Sequence, residues 1–209
     1  MLSSSRFNIH VLREEDRIPA LTLLINSFFH DEPLAKCVEL EEPLDFAKTI
    51  INDAINNQCS FVAYDIQTNQ LIGICLNEIK SKDDRYIINE TNEKLSFILN
   101  LLHNMHKNIN LFDIFQTNSL LYIFIINVDK NYRGYRLGSR LISTSIEYAR
   151  QNRIKGAFAE ATSISSLNSF QHQGFLIYHQ INYIEYDQIR LSTMIDSHNS
   201  QCQLVARIL

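Results

Sequence analysis

Alternation of apolar and polar residues predicts the strands of this chain. FNIHVL (7–12) alternates as a half-buried strand does, and the unbroken apolar run LLYIFIINV (120–128) is typical of a buried strand. GFLIYHQINYIEY (174–186) is predicted as one long element, in which aromatic residues alternate as in strand packing. The other predicted strands are short apolar runs bounded by turn residues. They are SFVAYD and QLIGICLNEIK, joined as a hairpin by QTNQ, and then GAFAEA and the tail CQLVARIL.

Apolar residues at helical spacing predict the helices. One helix begins at Glu14 and should end near HDEP, because Pro33 disfavours helical geometry at the residue before it. A second helix fits EEPLDFAKTIINDAINN, with Pro43 near its first turn, and a third covers residues 91–116. Two more are predicted, one after the loop that contains Gly134 and a short one over SISSLNSFQHQ.

Strands and helices in this order predict the α/β class, with a mixed sheet in one domain over residues 1–209. A chain of this length can bury a substantial core. The hydrophobic content of 45% and the charged content of 20% are ordinary for a globular protein, so the composition argues against disorder.

Charge and cysteine content narrow the function classes. The net charge of −4 argues against a general nucleic-acid binder, which usually presents a basic face. The four cysteines form no CxxC pair, so reduced thiols are expected rather than a disulfide framework or a zinc site. The N-terminus lacks the apolar stretch of a signal peptide, and LLYIFIINV is much shorter than the roughly 20 residues that span a membrane. We therefore expect a cytoplasmic monomer that binds neither nucleic acid nor a membrane.

A basic loop with two glycines, VDKNYRGYRLGS (128–139), joins the apolar strand directly to a helix. Gly134 and Gly138 allow close approach of the backbone to a ligand, and amides at a helix N-terminus favour a phosphate. Arg133, Arg136 and Arg140 add positive charge. The spacing matches neither a Rossmann GxGxxG loop nor a P-loop. From these residues alone, an anion site and a plain strand-to-helix connection both remain open.

The same segment resembles motif A of the Gcn5-related N-acetyltransferases (GNAT), whose core is [RQ]-x-x-G-x-[GA]. Arg133 takes the basic position and Gly138 the last small one, whereas Arg136 stands where the middle glycine belongs. In that family the loop amides hold the pyrophosphate of coenzyme A, and the preceding strand pairs with the pantetheine arm as an added strand would. The resemblance therefore implies acetyl-CoA as co-substrate and no metal. The cofactor-binding residues that it implies are Ile126, Val128, Arg133, Gly134, Tyr135, Arg136, Leu137, Gly138 and Ser139.

Three further segments are similar to insect arylalkylamine (dopamine-type) N-acetyltransferases: SFFHDEPL (27–34), LSFILNLLHNMHKNINLFDIF (95–115) and ATSISSLNSFQHQGF (161–175). With the loop they cover most of residues 7–185. This resemblance implies the GNAT fold, with helices flanking the sheet, and direct attack of a small amine on the thioester. Strand amides around Ile126 to Val128 would polarise the thioester carbonyl. Dopamine, serotonin, tryptamine, tyramine or octopamine would be the acceptor. A polyamine or peptide amine, or an inactive coenzyme-A-binding relative, is the alternative.

The reaction needs a base, because an alkylammonium has a pKa of about 10.4 and must lose a proton before it attacks. Glu32 matches the family's glutamate, which takes that proton through ordered water. Burial beneath Phe28 and Phe29 would raise its pKa towards usefulness. The alternative is that Asp31 and Glu32 are solvated charges at a helix end.

The departing thiolate also needs a proton, and many acetyltransferases supply it from a tyrosine that corresponds here to Phe170. The dopamine-type enzymes instead carry two serines one helical turn apart, which match Thr162 and Ser166. At positions i and i+4 of a helix these hydroxyls would face the same way. The alternative is that they only cap the helix. His103 and His106, in the third predicted helix, are expected to face solvent.

Overall fold

The computed structural model describes residues 6–41, 43–84, 92–194 and 199–209. Over these residues a seven-stranded mixed sheet runs in the order β1-β2-β3-β4-β5-β7-β6. The pairing of β4 with β5 is parallel, and the other neighbours pair antiparallel. The strands are β1 (Phe7–Val11), β2 (Phe61–Asp65), β3 (Gln70–Ser81), β4 (Ser119–Val128), β5 (Gly156–Ala161), β6 (Leu176–Asn182) and β7 (Gln201–Ile208).

The C-terminal tail forms β7, which lies between β5 and β6. Five successive residues, 202–206, are buried, as expected for a strand covered on both faces. The predicted tail strand is therefore confirmed, and it occupies an inner position in the sheet.

Helices cover both faces of the sheet. The α-helices are α1 (Arg17–Leu23), α2 (Phe29–Asp31), α3 (Pro33–Cys37), α4 (Leu44–Asn57), α5 (Glu93–Asn104), α6 (Leu111–Ile114), α7 (Leu137–Gln151), α8 (Ile164–His172) and α9 (Tyr183–Tyr186). One apolar cluster joins α7 and α8 to one face of the sheet. On the other face a cluster contains α1 and α4, and beside it a cluster contains α3, α5 and α6. Among the described helices, none is long and apolar enough to span a membrane.

The helix predicted from Glu14 extends to Asp31, but its backbone is not uniform. A 3₁₀ turn (Glu14–Asp16) precedes α1, and a π-helix (Leu24–Phe28) separates α1 from α2. A π-helix inserts one extra residue per turn and rotates the chain on its C-terminal side. Phe29 and the segment HDEP come directly after it, so the π-helix sets their direction.

Two predicted elements are wrong as single units. The helix predicted over residues 91–116 is divided into α5 and α6, and Thr91 lies outside the described residues. Asn110 starts α6, since its side chain accepts hydrogen bonds from the amides of Phe112 and Asp113. The long element predicted over 174–186 is β6 followed by α9, because Asn182 caps α9 in the same way.

Candidate active site

A cleft opens where β4 and β5 diverge. The two strands pair only at Leu121 with Ala157 and at Tyr122 with Phe158. Beyond Tyr122, β4 continues to pair with β3 on its other edge as far as Val128. The edge of β4 that faces β5 is thus available to a ligand, and the cleft beside it measures about 1050 Å³. Ile126 and Val128 line this cleft, as predicted for the strand that would hold pantetheine.

A β-bulge in β4 adjusts which residues face this cleft. Ile123 and Ile125 pair with the adjacent residues Asn77 and Leu76 of β3, so Phe124 is an extra residue in β4. A bulge bends its strand and redirects the side chains beyond it. Phe124 lines the cleft, together with its neighbours in β4.

The glycine loop ends at the N-terminus of α7 and forms one end of the cleft. Gly134 has φ +87°, and a Cβ there would meet nothing within 4 Å. Arg136 has φ +57° and is the N-cap of α7, with no side-chain cap hydrogen bond. The first amides of α7 therefore lack a capping side chain, which suits an anion such as a pyrophosphate.

Most of the predicted cofactor-binding loop residues line the cleft: Arg133, Gly134, Arg136, Leu137, Gly138 and Ser139. Tyr135 does not. Its ring packs edge-on against Phe7 at 5.6 Å, with the Arg6 guanidinium 5.4 Å away. The Arg133 guanidinium forms an ion pair with Asp31, and its Nε donates to the Val128 carbonyl at 3.3 Å. Arg133 therefore connects the loop to the segment that carries Glu32.

Glu32 lies between α2 and α3 and has its carboxylate buried at the cleft. Its Oε2 accepts a hydrogen bond from the Ala35 amide at 2.6 Å and so caps α3. Its Oε1 is buried without a hydrogen-bond partner among the described residues. Burial raises the pKa of Glu32 above its ordinary value, partly opposed by the Ala35 amide, the Thr162 side chain and the Leu34 amide. This arrangement suits a general base and contradicts the alternative of a solvated charge.

The wall of the cleft near Glu32 is apolar and rich in aromatic residues. Phe28 packs edge-on against Phe29 at 5.2 Å, and Phe29 contacts Phe46 at 6.4 Å between ring centres. One face of α5 supplies the opposite wall at helical spacing, with Leu95, Ile98, Leu99 and Leu102. The cleft therefore offers a carboxylate next to hydrocarbon walls.

Comparison with known proteins agrees with this geometry. The profile described as "Acetyltransferase (GNAT) family" matches residues 24–175, which is most of the chain and includes Glu32, the loop and α8. The chain belongs to the acetyltransferase (GNAT) family. The predicted family and the predicted mixed α/β fold are both confirmed.

Solved structures of similar fold include enzymes with different acceptors. Arylalkylamine N-acetyltransferase 2 of Aedes aegypti has a TM-score of 0.88 and 22% identity, over 98% of this chain and 99% of that one. A mosquito arylalkylamine N-acetyltransferase like 5b has a TM-score of 0.82 and 17% identity, over 97% of this chain and 100% of that one. The polyamine N-acetyltransferase of Drosophila melanogaster is named as forming N-acetylagmatine. It has a TM-score of 0.77 and 17% identity, over 97% of this chain and 100% of that one. At these identities the likeness shows the fold and leaves the acceptor of this acetyltransferase open.

Thr162 and Ser166 both line the cleft of this acetyltransferase, but they do not share a helix face as predicted. Thr162 follows β5 and precedes Ser163, the N-cap of α8, so helical spacing does not relate it to Ser166. Ser163 and Ser166 form a capping box, in which the Ser166 amide donates to Ser163 Oγ at 3.1 Å and the Ser163 amide donates to Ser166 Oγ at 3.4 Å. The Ser166 hydroxyl also donates to the Ser163 carbonyl at 2.9 Å. The capping alternative therefore describes Ser166 in this state, while a catalytic role stays a prediction. Phe170 is buried against Phe175, 5.1 Å between ring centres.

The expectation that His106 faces solvent is wrong. Its Nε2 contacts Oε1 of Glu160, a strand residue that the sequence reasoning did not single out. The two residues are 54 positions apart, so no local pattern could have paired them. The sequence carries one signal of this pair, a glutamate inside the apolar strand GAFAEA. Glutamate is rarely buried, so its position there is unusual.

Proposed function

We propose that this protein transfers an acetyl group from acetyl-CoA to the primary amine of a small arylalkylamine. Dopamine, tyramine, octopamine, tryptamine and serotonin are the candidate acceptors. The observation that carries the proposal is the buried Glu32 carboxylate at the aromatic end of a cleft whose other end is the N-terminus of α7. A base beside an apolar pocket suits an amine attached to a ring.

The residues of the cleft fit acetyl-CoA. The amides of Leu137, Gly138 and Ser139 would hold the pyrophosphate, and the free edge of β4 at Ile126–Val128 would pair with the pantetheine arm. When bound, acetyl-CoA supplies a thioester carbonyl carbon that an amine can attack. Amides of β4 near that carbonyl would stabilise the negative charge on its oxygen.

Proton transfer accounts for the roles of Glu32 and Ser166. Glu32 accepts the proton that the ammonium must lose, directly or through water, which exposes the nitrogen lone pair. As the new C–N bond forms, the C–S bond breaks and the thiolate leaves. The nitrogen loses a second proton in this step, which balances the proton that the thiolate takes up. Ser166, which lines the cleft, would pass a proton to that sulfur. No covalent link between the acetyl group and the protein is needed.

A polyamine acceptor is the second candidate. It is favoured by a second carboxylate, Glu160, which also lines the cleft, and by the similar fold of the fly polyamine enzyme. The walls between the two carboxylates are apolar, however. Such a wall removes water from a methylene chain and from an aromatic ring alike, but burying a second ammonium against it costs free energy. We therefore place arylalkylamines first.

The deciding experiment is acetyl transfer from acetyl-CoA to a panel of arylalkylamines, putrescine, spermidine, agmatine and a short peptide, read as acetylated product by mass spectrometry. The proposal expects product with an arylalkylamine and loss of that product in Glu32→Gln. Turnover of polyamines or peptides alone would replace the acceptor class. Coenzyme A binding without any product would favour the inactive relative. The cytoplasmic location and the monomeric state expected from the sequence stay predictions.

A further inference from the structure

Glu160 is a buried carboxylate of the cleft that the proposed chemistry does not use. It lies on β5, and its side chain is 4% exposed while still lining the cleft. Burying a carboxylate costs free energy unless it is paired and hydrogen-bonded. A position that retains such a group at the wall of a ligand cleft is a candidate for recognising the ligand.

His106 holds Glu160 by one oxygen. His106 lies just beyond the C-terminus of α5, four residues after Leu102, and its ring packs edge-on against Phe158 at 5.4 Å. Its Nε2 contacts Glu160 Oε1, and Glu160 Oε2 has no donor among the described residues. An ammonium group of a ligand would compete with the imidazole for the same carboxylate, whereas a hydroxyl needs only a lone pair on Oε2.

Glu160 and Glu32 line the same cleft, Glu160 from β5 and Glu32 from the start of α3. Thr162 comes directly after the last residue of β5 and lines the cleft, as Glu160 does. Burial raises the pKa of Glu32, and the Thr162 side chain is near enough to oppose part of that rise. Two strand residues span about 7 Å, which is the order of length of a two-carbon chain plus a phenyl ring.

We propose that Glu160, positioned by His106, selects acceptors that carry a hydroxyl on the aromatic ring, with the amine at Glu32 and the ring hydroxyl donating to Glu160 Oε2. The inference rests on the proposed arylalkylamine function and names the acceptor within it: a para-hydroxylated phenethylamine such as tyramine or dopamine. The ring between the two polar ends contacts the apolar walls. Glu160 is then a specificity residue, and His106 is a positioning residue that acts through it.

The first test uses the wild-type protein and compares kcat/KM for tyramine and phenethylamine, which differ by one hydroxyl. Hydrogen bonds to charged groups, and sites built to bond a hydroxyl, discriminate strongly against the analogue that lacks it. We expect tyramine to be preferred by about tenfold or more. Equal values, or a preference for phenethylamine, would overturn the inference while leaving the arylalkylamine proposal intact. A preference for putrescine or agmatine over tyramine would overturn both.

The second test asks whether Glu160 causes the preference. In Glu160→Leu the tyramine-to-phenethylamine ratio should fall towards one, and in Glu160→Gln it should take an intermediate value, because a neutral acceptor bonds more weakly. His106→Gln should lower the ratio less than Glu160→Leu does. Glu147→Leu on the exposed face of α7 makes the same chemical change away from the cleft and should keep the wild-type ratio. A wild-type ratio in folded Glu160→Leu, with folding checked by thermal unfolding, would overturn the assignment.

Discussion

Glu32 caps α3 and is also the base that we propose. Its Oε2 is fixed by the Ala35 amide at the start of α3, which leaves Oε1 directed into a site without a donor among the described residues. Pro33, in the first turn of α3, needs no hydrogen bond from its backbone nitrogen. The segment HDEP therefore places a carboxylate rigidly, and catalytic groups gain from such preorganisation.

The first prediction concerns the activity of Glu32→Gln. Loss of a general base lowers a rate by roughly 100-fold or more, so kcat should fall by about that factor while coenzyme A still binds. In the wild-type protein, kcat/KM should rise with pH through a pKa above the ordinary value of a glutamic acid, since burial raises the pKa of Glu32. Glu147→Gln is the matched surface control. A wild-type kcat in Glu32→Gln would remove Glu32 from the mechanism.

The second prediction concerns the stability of the same variant. Because its folded-state pKa is raised, Glu32 binds a proton more tightly in the folded than in the unfolded protein. Its contribution to the free energy of unfolding is therefore full below the unfolded pKa and is lost as pH rises through the folded pKa. Glu32→Gln should be more stable than wild type at pH 7, and the gap should close near pH 4. Urea unfolding at both pH values measures this, and an absent gap at pH 7 would mean that the carboxylate is well solvated.

The third prediction separates capping from catalysis at α8. Ser163→Ala and Ser166→Ala each remove one member of the capping box, and each should cost about 1 kcal/mol of stability. If Ser166 returns a proton to the thiolate, kcat should fall about tenfold in Ser166→Ala alone. The effect should be smaller than that of losing the base, because a thiolate with an ordinary pKa near 8.5 leaves readily. Equal kcat values in the two variants would leave Ser166 as a cap.

Among the elements, the junction of β4 and α7 depends on an unusual backbone. Arg136 occupies the left-handed region at φ +57°, where a Cβ is disfavoured and where the family motif has glycine. An arginine is strained at such an angle, as any residue with a Cβ is. The fourth prediction is that Arg136→Gly unfolds with about 1 kcal/mol more free energy than Arg136→Ala.

The pair of variants at Arg136 isolates the backbone effect, because both lack the guanidinium. Chemical denaturation measures their difference, and KM for acetyl-CoA reports the shape of the loop. A more stable alanine variant would show that the left-handed conformation is not required. If the two variants change KM similarly but differ in stability, the backbone strain affects the stability of the fold, and the lost guanidinium charge affects the binding of acetyl-CoA.

Local patterns were sufficient for elements whose signal lies within a few residues. An apolar run, two glycines and a helical spacing adjoin one another in the sequence. They predict the strand 120–128, the glycine loop and the helix after it. The Asn110 and Asn182 caps were missed although asparagine is a common N-cap, so that signal was available. The π-helix at Leu24–Phe28 and the contact of His106 with Glu160 depend on tertiary packing, for which the chain carries no local pattern.

At the scale of the whole molecule, the cleft separates two parts of one sheet. β4 belongs to the larger part through β3, and β5 to the smaller part through β7, while their own pairing is limited to residues 121–122 and 157–158. Near the cleft the Tyr183 hydroxyl donates to the Thr162 carbonyl at 3.1 Å and supports the smaller part. A ligand that pairs with β4 and bonds the N-terminus of α7 would add contacts where the sheet has few.

The fifth prediction is that coenzyme A stabilises the whole protein and that its pyrophosphate is required for this. A ligand at 100 times its Kd adds about 2.7 kcal/mol to the free energy of unfolding, or roughly 5 to 11 °C in Tm for a chain of this size. Pantetheine has the arm that pairs with β4 but no pyrophosphate for the α7 amides, so at the same concentration it should raise Tm much less. The gain from coenzyme A should also shrink as salt increases, because charge carries much of the contact. Equal shifts in Tm from both ligands would show that contacts with the edge of β4 provide the affinity. No shift in Tm from either ligand would contradict a coenzyme A site in this cleft.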